Sequence, residues 1–202
     1  EDGEGKADEL CVLARKYGAM FVALTIDEDG MAKTAEQKLA VAQRIHDIVV
    51  DRHGLAPGDL IFDPLTFTIG SGDEDSRDAG MQTLKGIELI KQNIPGVRTI
   101  LGLSNISFGL DPYPRQILNS VYMAEALKCG LDAAIVHASK IVPMHKLEEE
   151  DRKVTLDLIY DRRTPDYDPL FKFIERFQGA KRVDLGKGQD EMELPVEERL
   201  KR

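Results

Sequence analysis

The chain of 202 residues predicts an α/β fold built on parallel strands. Two observations carry that expectation. Short apolar runs alternate with longer amphipathic stretches, in the order helix then strand, four times over, which is the pattern of parallel strands joined by right-handed helical crossovers. Each apolar run also stops abruptly in polar residues: 20–26 at Asp27, 60–62 at Asp63, 99–103 at Ser104 and Asn105, and 133–136 at His137. In parallel α/β folds the carboxyl ends of the strands are where loops converge on a ligand while the strands hold them rigid.

The elements follow in order. Leu10, Leu13, Ala14 and Tyr17 recur at helical spacing over residues 7–17, and Gly18 closes that helix. After the strand 20–26 and the acidic turn at Asp27, Thr34 caps a long helix reaching about Arg52, with Leu39, Ala42, Ile45 and Val49 on one face. The strand 60–62 delivers Asp63 and Pro64, and a rim loop with Gly70 and Gly72 leads to a helix over 78–93 carrying Met81, Leu84, Ile87 and Ile90. Pro95 and Gly96 return the chain to the strand 99–103, where Gly102 permits close backbone approach. Pro114 opens a helix running to about Cys129, which Gly130 ends before the strand 133–136. Helices over 146–161 and 167–177 cover the outside, with residues 148–151 as a solvated acidic helix start. Four strands cannot close a (β/α)₈ barrel, which needs about 250 residues, but they amount to half of one.

Composition narrows the partners. With 42% apolar and 31% charged residues the chain can bury one sizeable core, and a net charge of −9 without a basic stripe excludes nucleic acid. No apolar run approaches the ~20 residues that cross a bilayer, and the first residues lack the character of a signal peptide, so no membrane partner and a cytoplasmic location are expected. Cys11 and Cys129 lie far apart on predicted helices and read as buried thiols rather than a disulfide framework. The four His residues show no metal-ligand spacing, so no metal is expected on this chain. Both ends read as cut: there is no initiating Met, and residues 194–202 read as the first turns of a helix.

Asp27, Asp63, Asn105 and His137 would converge on one rim if the strands are neighbours. Each alone is explained as a turn former or cap, because Asp and Asn bond nearby amides. A carboxylate held by the stiff Asp63-Pro64 pair can also accept two parallel hydrogen bonds from adjacent N–H groups of a heterocycle. Asn105 offers both a donor and an acceptor without a fixed charge, which suits a ring nitrogen in a buried site. Arg115, in the first turn of a helix beside the Asn105 loop, can meet a carboxylated tail or a surface partner. His137 has no Ser, Cys or His partner for a triad and reads as structural.

The stretches Phe62-Asp63-Pro64, Gly102-Leu103-Ser104-Asn105-Ile106-Ser107-Phe108 and Arg115-Gln116-Ile117-Leu118-Asn119 together resemble the pterin-binding methyltransferase family. Within it, the likeness is to the methyltetrahydrofolate-binding domains of cobalamin-dependent methionine synthases. The resemblance implies a (β/α)₈ TIM barrel of which residues 1–185 supply the C-terminal half, strands five to eight, and residues 186–202 a linker to a following domain. It implies methyl transfer from N5 of methyltetrahydrofolate to cob(I)alamin in methionine biosynthesis. It makes Asn105 the catalytic residue facing N5 and Asp63 the reader of the pyrimidine edge, with Ser107, Phe108, Arg115 and Asp27 also binding substrate. The implied partners are a cobalamin-binding domain of the same polypeptide and the N-terminal half of the barrel, without which this piece alone would be inactive. Two alternatives stand beside it. One is a dihydropteroate synthase-like enzyme, against which no Lys follows Asp63 in the run Leu65-Thr66-Phe67-Thr68-Ile69-Gly70. The other is a non-catalytic half-barrel that self-associates through its open edges.

Overall fold

The computed structural model describes residues 4–178. Helix α1 (Glu4–Tyr17) leads into β1 (Phe21–Leu24), and a small antiparallel hairpin, β2 (Ile26–Asp27) with β3 (Gly30–Met31), precedes α2 (Ala35–His46). Then come β4 (Leu60–Asp63), α3 (Ala79–Asn93), β5 (Arg98–Leu101), α4 (Pro112–Lys128), β6 (Ala133–Ala134), α5 (Glu149–Ile159) and α6 (Pro169–Phe177). Strands β1, β4, β5 and β6 form one parallel sheet in sequence order. Consecutive parallel neighbours separated by helices are the arrangement that the alternating pattern predicts.

Local chemistry accounts for the element boundaries. Thr34 accepts from the Gln37 amide while the Gln37 side chain accepts from the Thr34 amide, a capping box that starts α2. At α6, Asp168 accepts from the amides of Leu170 and Phe171, and Pro169 takes the first helical turn. Gly18 ends α1 with φ of +67°.

Strand alternation gives the sheet two different faces. Leu60 and Phe62 are fully buried among α1, α2 and α3, where removing each side chain from water is worth about 1.5–3 kcal/mol. Leu101 joins the larger core under α3, α4, α5 and α6, with Phe173 packed on Phe177 at 4.8 Å between ring centroids. On the opposite face, Val22 and Leu24 of β1 are 57% and 43% exposed, and Ile135 just past β6 is 63% exposed. The described residues thus cover one face of a parallel sheet and leave apolar side chains bare on the other.

Several boundaries differ from the sequence expectation. The strand predicted over 99–103 ends at Leu101, and Leu103–Ser107 instead coil into a 3-10 turn, because Leu103 and Ile106 reach the core from a turn and not from a strand. The helix expected to reach Arg52 is α-helical only to His46 and continues over Asp47–Arg52 as a π turn, which redirects the chain so that Ile48 and Val49 are buried. The last strand shortens to Ala133–Ala134, and α4 begins at Pro112 rather than Pro114. On α1 the face toward the core is that of Cys11 and Ala14; Leu10, Leu13 and Tyr17 are 47%, 50% and 71% exposed. Helical spacing alone cannot say which side of an apolar helix meets the core. The expected linker and helix start beyond residue 186 lie outside the described residues. Among the described residues, no helix is long and apolar enough to cross a membrane.

Candidate functional site

Strand β4 ends in Asp63, whose side chain is buried at 7% exposure. Its Oδ1 accepts from the Leu65 amide at 2.9 Å, and the Gly102 amide at the end of the neighbouring strand also favours the ionised carboxylate. Burial pushes the Asp63 carboxyl above the usual carboxylate range, while those two amides and the Lys38 ammonium oppose the shift. Leu65 sits in the left-handed region at φ +57°, so the turn after Pro64 is held against a steric preference.

The turn rests on buried donors. Lys38, fully buried on α2, donates from Nζ to the carbonyls of Ala32 and Pro64 at 2.7 Å each and to that of Leu65 at 3.3 Å. The hydroxyl of Thr25 donates to the Pro64 carbonyl at 3.0 Å and that of Thr83 to the Leu65 carbonyl at 2.9 Å. Desolvation brings the Lys38 amine down to about 8.

One strand over, β5 stops at Leu101 and the chain turns at Gly102. Because Leu103 and Ile106 point into the core, Asn105 is carried outward and is exposed. A Cβ on Gly102 would stand 3.2 Å from Asn105 Nδ2, so the amide lies close over the glycine that follows β5, the strand paired with β4. The two strand ends therefore bring Asp63, Gly102 and Asn105 together. Gly102→Ala is expected to displace the Asn105 amide by a few tenths of an ångström, lowering ligand affinity or turnover several-fold with an unchanged melting curve. Unchanged ligand kinetics would show that the close approach has no role.

The other predicted site residues are placed differently. Ser107 is fully buried: its hydroxyl donates to Asn119 Oδ1 at 2.8 Å and accepts from Arg115 Nε at 3.1 Å, while Arg115 Nη2 donates to the Ser104 carbonyl at 3.2 Å. The hydroxyl thus ties the 3-10 turn to α4. Phe108 is 68% exposed, and its carbonyl receives the Thr68 hydroxyl at 2.7 Å. Asp27 lies in the β2/β3 hairpin and closes its turn by accepting from the Asp29 amide at 3.0 Å, the turn-forming reading of that residue.

Arg115 and His137 instead border a cleft of about 730 Å³ beside the Asn105 turn, together with Ser104, Tyr113, Asn119 and Lys140. His137 is exposed and its Nδ1 lies 3.0 Å from the Ser139 hydroxyl. Arg115 uses only part of its donor set internally, so its guanidinium can still meet an anion in this cleft. Among the described residues, one group has the side chains and spacing of metal ligands: His46, Asp47 and Asp51, their ligand atoms within 4.8 Å of one another on the π turn. It is mostly exposed and takes no part in the strand-end site.

Sequence reasoning missed Lys38, Thr25 and Asn119. A signal for Lys38 was present: it shares a helical stripe with Ala35, Val41 and Ala42, all buried, and a Lys on such a stripe must either snorkel or find buried acceptors.

The family model described as "Pterin binding enzyme" matches residues 2–137. The chain belongs to this family. Its matched segment holds Asp63, Gly102, Asn105, Arg115 and the supporting Lys38. The chain is also 48% identical over 183 residues to a protein named "Methionine synthase" from Mycobacterium tuberculosis (strain ATCC 25618 / H37Rv), covering 89% of this chain and 15% of that protein. A second, from Mycobacterium leprae (strain TN), is likewise 48% identical over 183 residues with the same coverage. This pterin-binding chain therefore spans about 15% of the length of the curated relatives it matches.

Proposed function

We propose that the chain binds the pterin of methyltetrahydrofolate as part of a methionine synthase, and presents its N5-methyl group for transfer. The observation that carries this reading is the pairing of a buried carboxylate and an exposed carboxamide at adjacent strand ends, Asp63 and Asn105, on either side of Gly102. Asp63 accepts two parallel N–H bonds from the amino-pyrimidine edge, and the Leu65 and Gly102 amides offset part of the penalty that burial places on its charge. Asn105 faces N5. As the carbon–nitrogen bond breaks, its electron pair stays on nitrogen, and an amine leaves badly as an anion, so N5 must hold or receive a proton. A carboxamide is no acid; Asn105 orients that proton and stabilises the charge changing at N5, the proton itself coming from solvent. The nucleophile that takes the methyl group would come from a cobalamin held on another domain of the same polypeptide. Arg115 meets the carboxylated tail from the neighbouring cleft, while Ser107 holds Arg115 and the Asn105 turn in place. Relatives named methionine synthase favour methyl transfer over a dihydropteroate synthase-like reaction.

The bare sheet face supports the half-barrel reading. A parallel sheet is normally covered on both faces, whereas among the described residues Val22, Leu24 and Ile135 stand exposed and β1 has a strand neighbour on one side only. Preceding strand–helix units pairing along the β1 edge and covering the exposed side of α1 would turn that bare face into a barrel interior.

The test is titration of the full-length polypeptide with methyltetrahydrofolate. Asp63→Asn is expected to weaken binding on the order of 100-fold, since it removes the charge from two hydrogen bonds. Equal affinity for the two proteins would overturn the pterin assignment.

A further inference from the structure

The least expected group in the fold is an ammonium with no access to water. Lys38 is 0% exposed, and an uncompensated charge there would be prohibitive. Its three acceptors are not scattered. Two of them, the carbonyls of Pro64 and Leu65, belong to the peptide units immediately after Asp63, and the third, that of Ala32, closes the segment leading into α2. Thr25 and Thr83 bond the same two carbonyls from β1's end and from α3, so both oxygens are drawn inward. Turning the carbonyls inward leaves the Leu65 N–H aimed back at Asp63 Oδ1, and it obliges Leu65 to take its left-handed conformation. Room for the lysine stem is built into α3: a Cβ on Gly86 would stand 2.8 Å from Lys38 Cδ.

Resting on the pterin reading above, we propose that Lys38 is the positioning residue of the pterin-reading carboxylate: from behind the turn it pins the Pro64 and Leu65 carbonyls and thereby sets the direction in which Asp63 faces the ligand. It touches no ligand itself. A hydrophobic residue of the same length would fill its volume but take the ammonium from three carbonyls, leaving those of Pro64 and Leu65 to Thr25 and Thr83 alone, and free the turn to relax from φ +57°.

A double-mutant cycle on methyltetrahydrofolate affinity in the full-length polypeptide tests this. Lys38→Met is expected to weaken binding about 10-fold in the native background and to have no further effect once Asp63 is Asn, because both changes act through one carboxylate. Additive losses would mean that Lys38 only supports the fold, and that outcome overturns the proposal. Should Lys38→Met fail to fold, Gly86→Ala carries the same cycle: it removes no polar group and pushes the Lys38 stem aside, so a several-fold loss confined to the Asp63 background is expected, and an equal loss in both backgrounds overturns it. If Asp63→Asn alone leaves affinity unchanged, the pterin reading fails; if it weakens binding while neither Lys38→Met nor Gly86→Ala does, only the positioning role fails.

Discussion

Asn105→Ala is expected to lower the turnover of methyl transfer about 10²- to 10³-fold, with a much smaller change in KM and none in the melting temperature. The reason is where the side chain sits. Asn105 is exposed and its backbone, not its side chain, makes the bonds of the 3-10 turn: its N–H donates to the Gly102 carbonyl at 3.3 Å and its carbonyl accepts from the Phe108 amide at 3.2 Å. Alanine keeps both. What is lost is the carboxamide above Gly102, whose interaction, on the reading proposed above, strengthens as N5 gives up its methyl group and gains a proton. A group that binds the ground state and the transition state equally would change KM instead. Single-turnover kinetics of the full-length polypeptide separate the two, and an unchanged turnover would remove Asn105 from the chemistry.

Raising the pH from 8 to 10 is expected to stabilise the native chain relative to its Lys38→Met variant by about 2 kcal/mol. Lys38 titrates at about 8 in the folded chain against an ordinary 10.5. Below pH 8 both states hold the proton and the folded state carries the full desolvation cost. Between 8 and 10 the folded chain gives up the proton while the unfolded chain keeps most of it, so stability rises by up to about 1.4 kcal/mol per pH unit. Tyr122 and Tyr160 are shifted upward by burial and Tyr167 is pushed up to about 12, so above pH 10 they act in the opposite sense; the comparison with Lys38→Met cancels them. Chemical denaturation of both proteins across this range checks the prediction, and parallel curves would show that the amine ionises as it does in water.

Much of the architecture was legible before any coordinates. Apolar runs ending in polar residues, spaced by amphipathic helices, specify a sequence-ordered parallel sheet, because strand and helix periods and the punctuation of Gly and Pro are local properties of the chain. The same locality made Asp63 and Asn105 stand out, since each directly follows an apolar run, and adjacency of β4 and β5 then brings them together across Gly102.

What only the tertiary structure decided is which polar side chains are displayed at the strand ends and which serve the interior. Ser107 and Asn105 are two residues apart in one motif, yet one is sealed against Asn119 and Arg115 and the other is displayed, because a 3-10 turn rather than a strand carries them. Asp27 ends an apolar run as Asp63 does, but a hairpin turns its carboxylate back to Asp29. Lys38 takes its function from carbonyls 26 and 27 residues away. A polar residue's role depends on which distant groups share its loss of water, and periodicity along the chain carries no record of that partner.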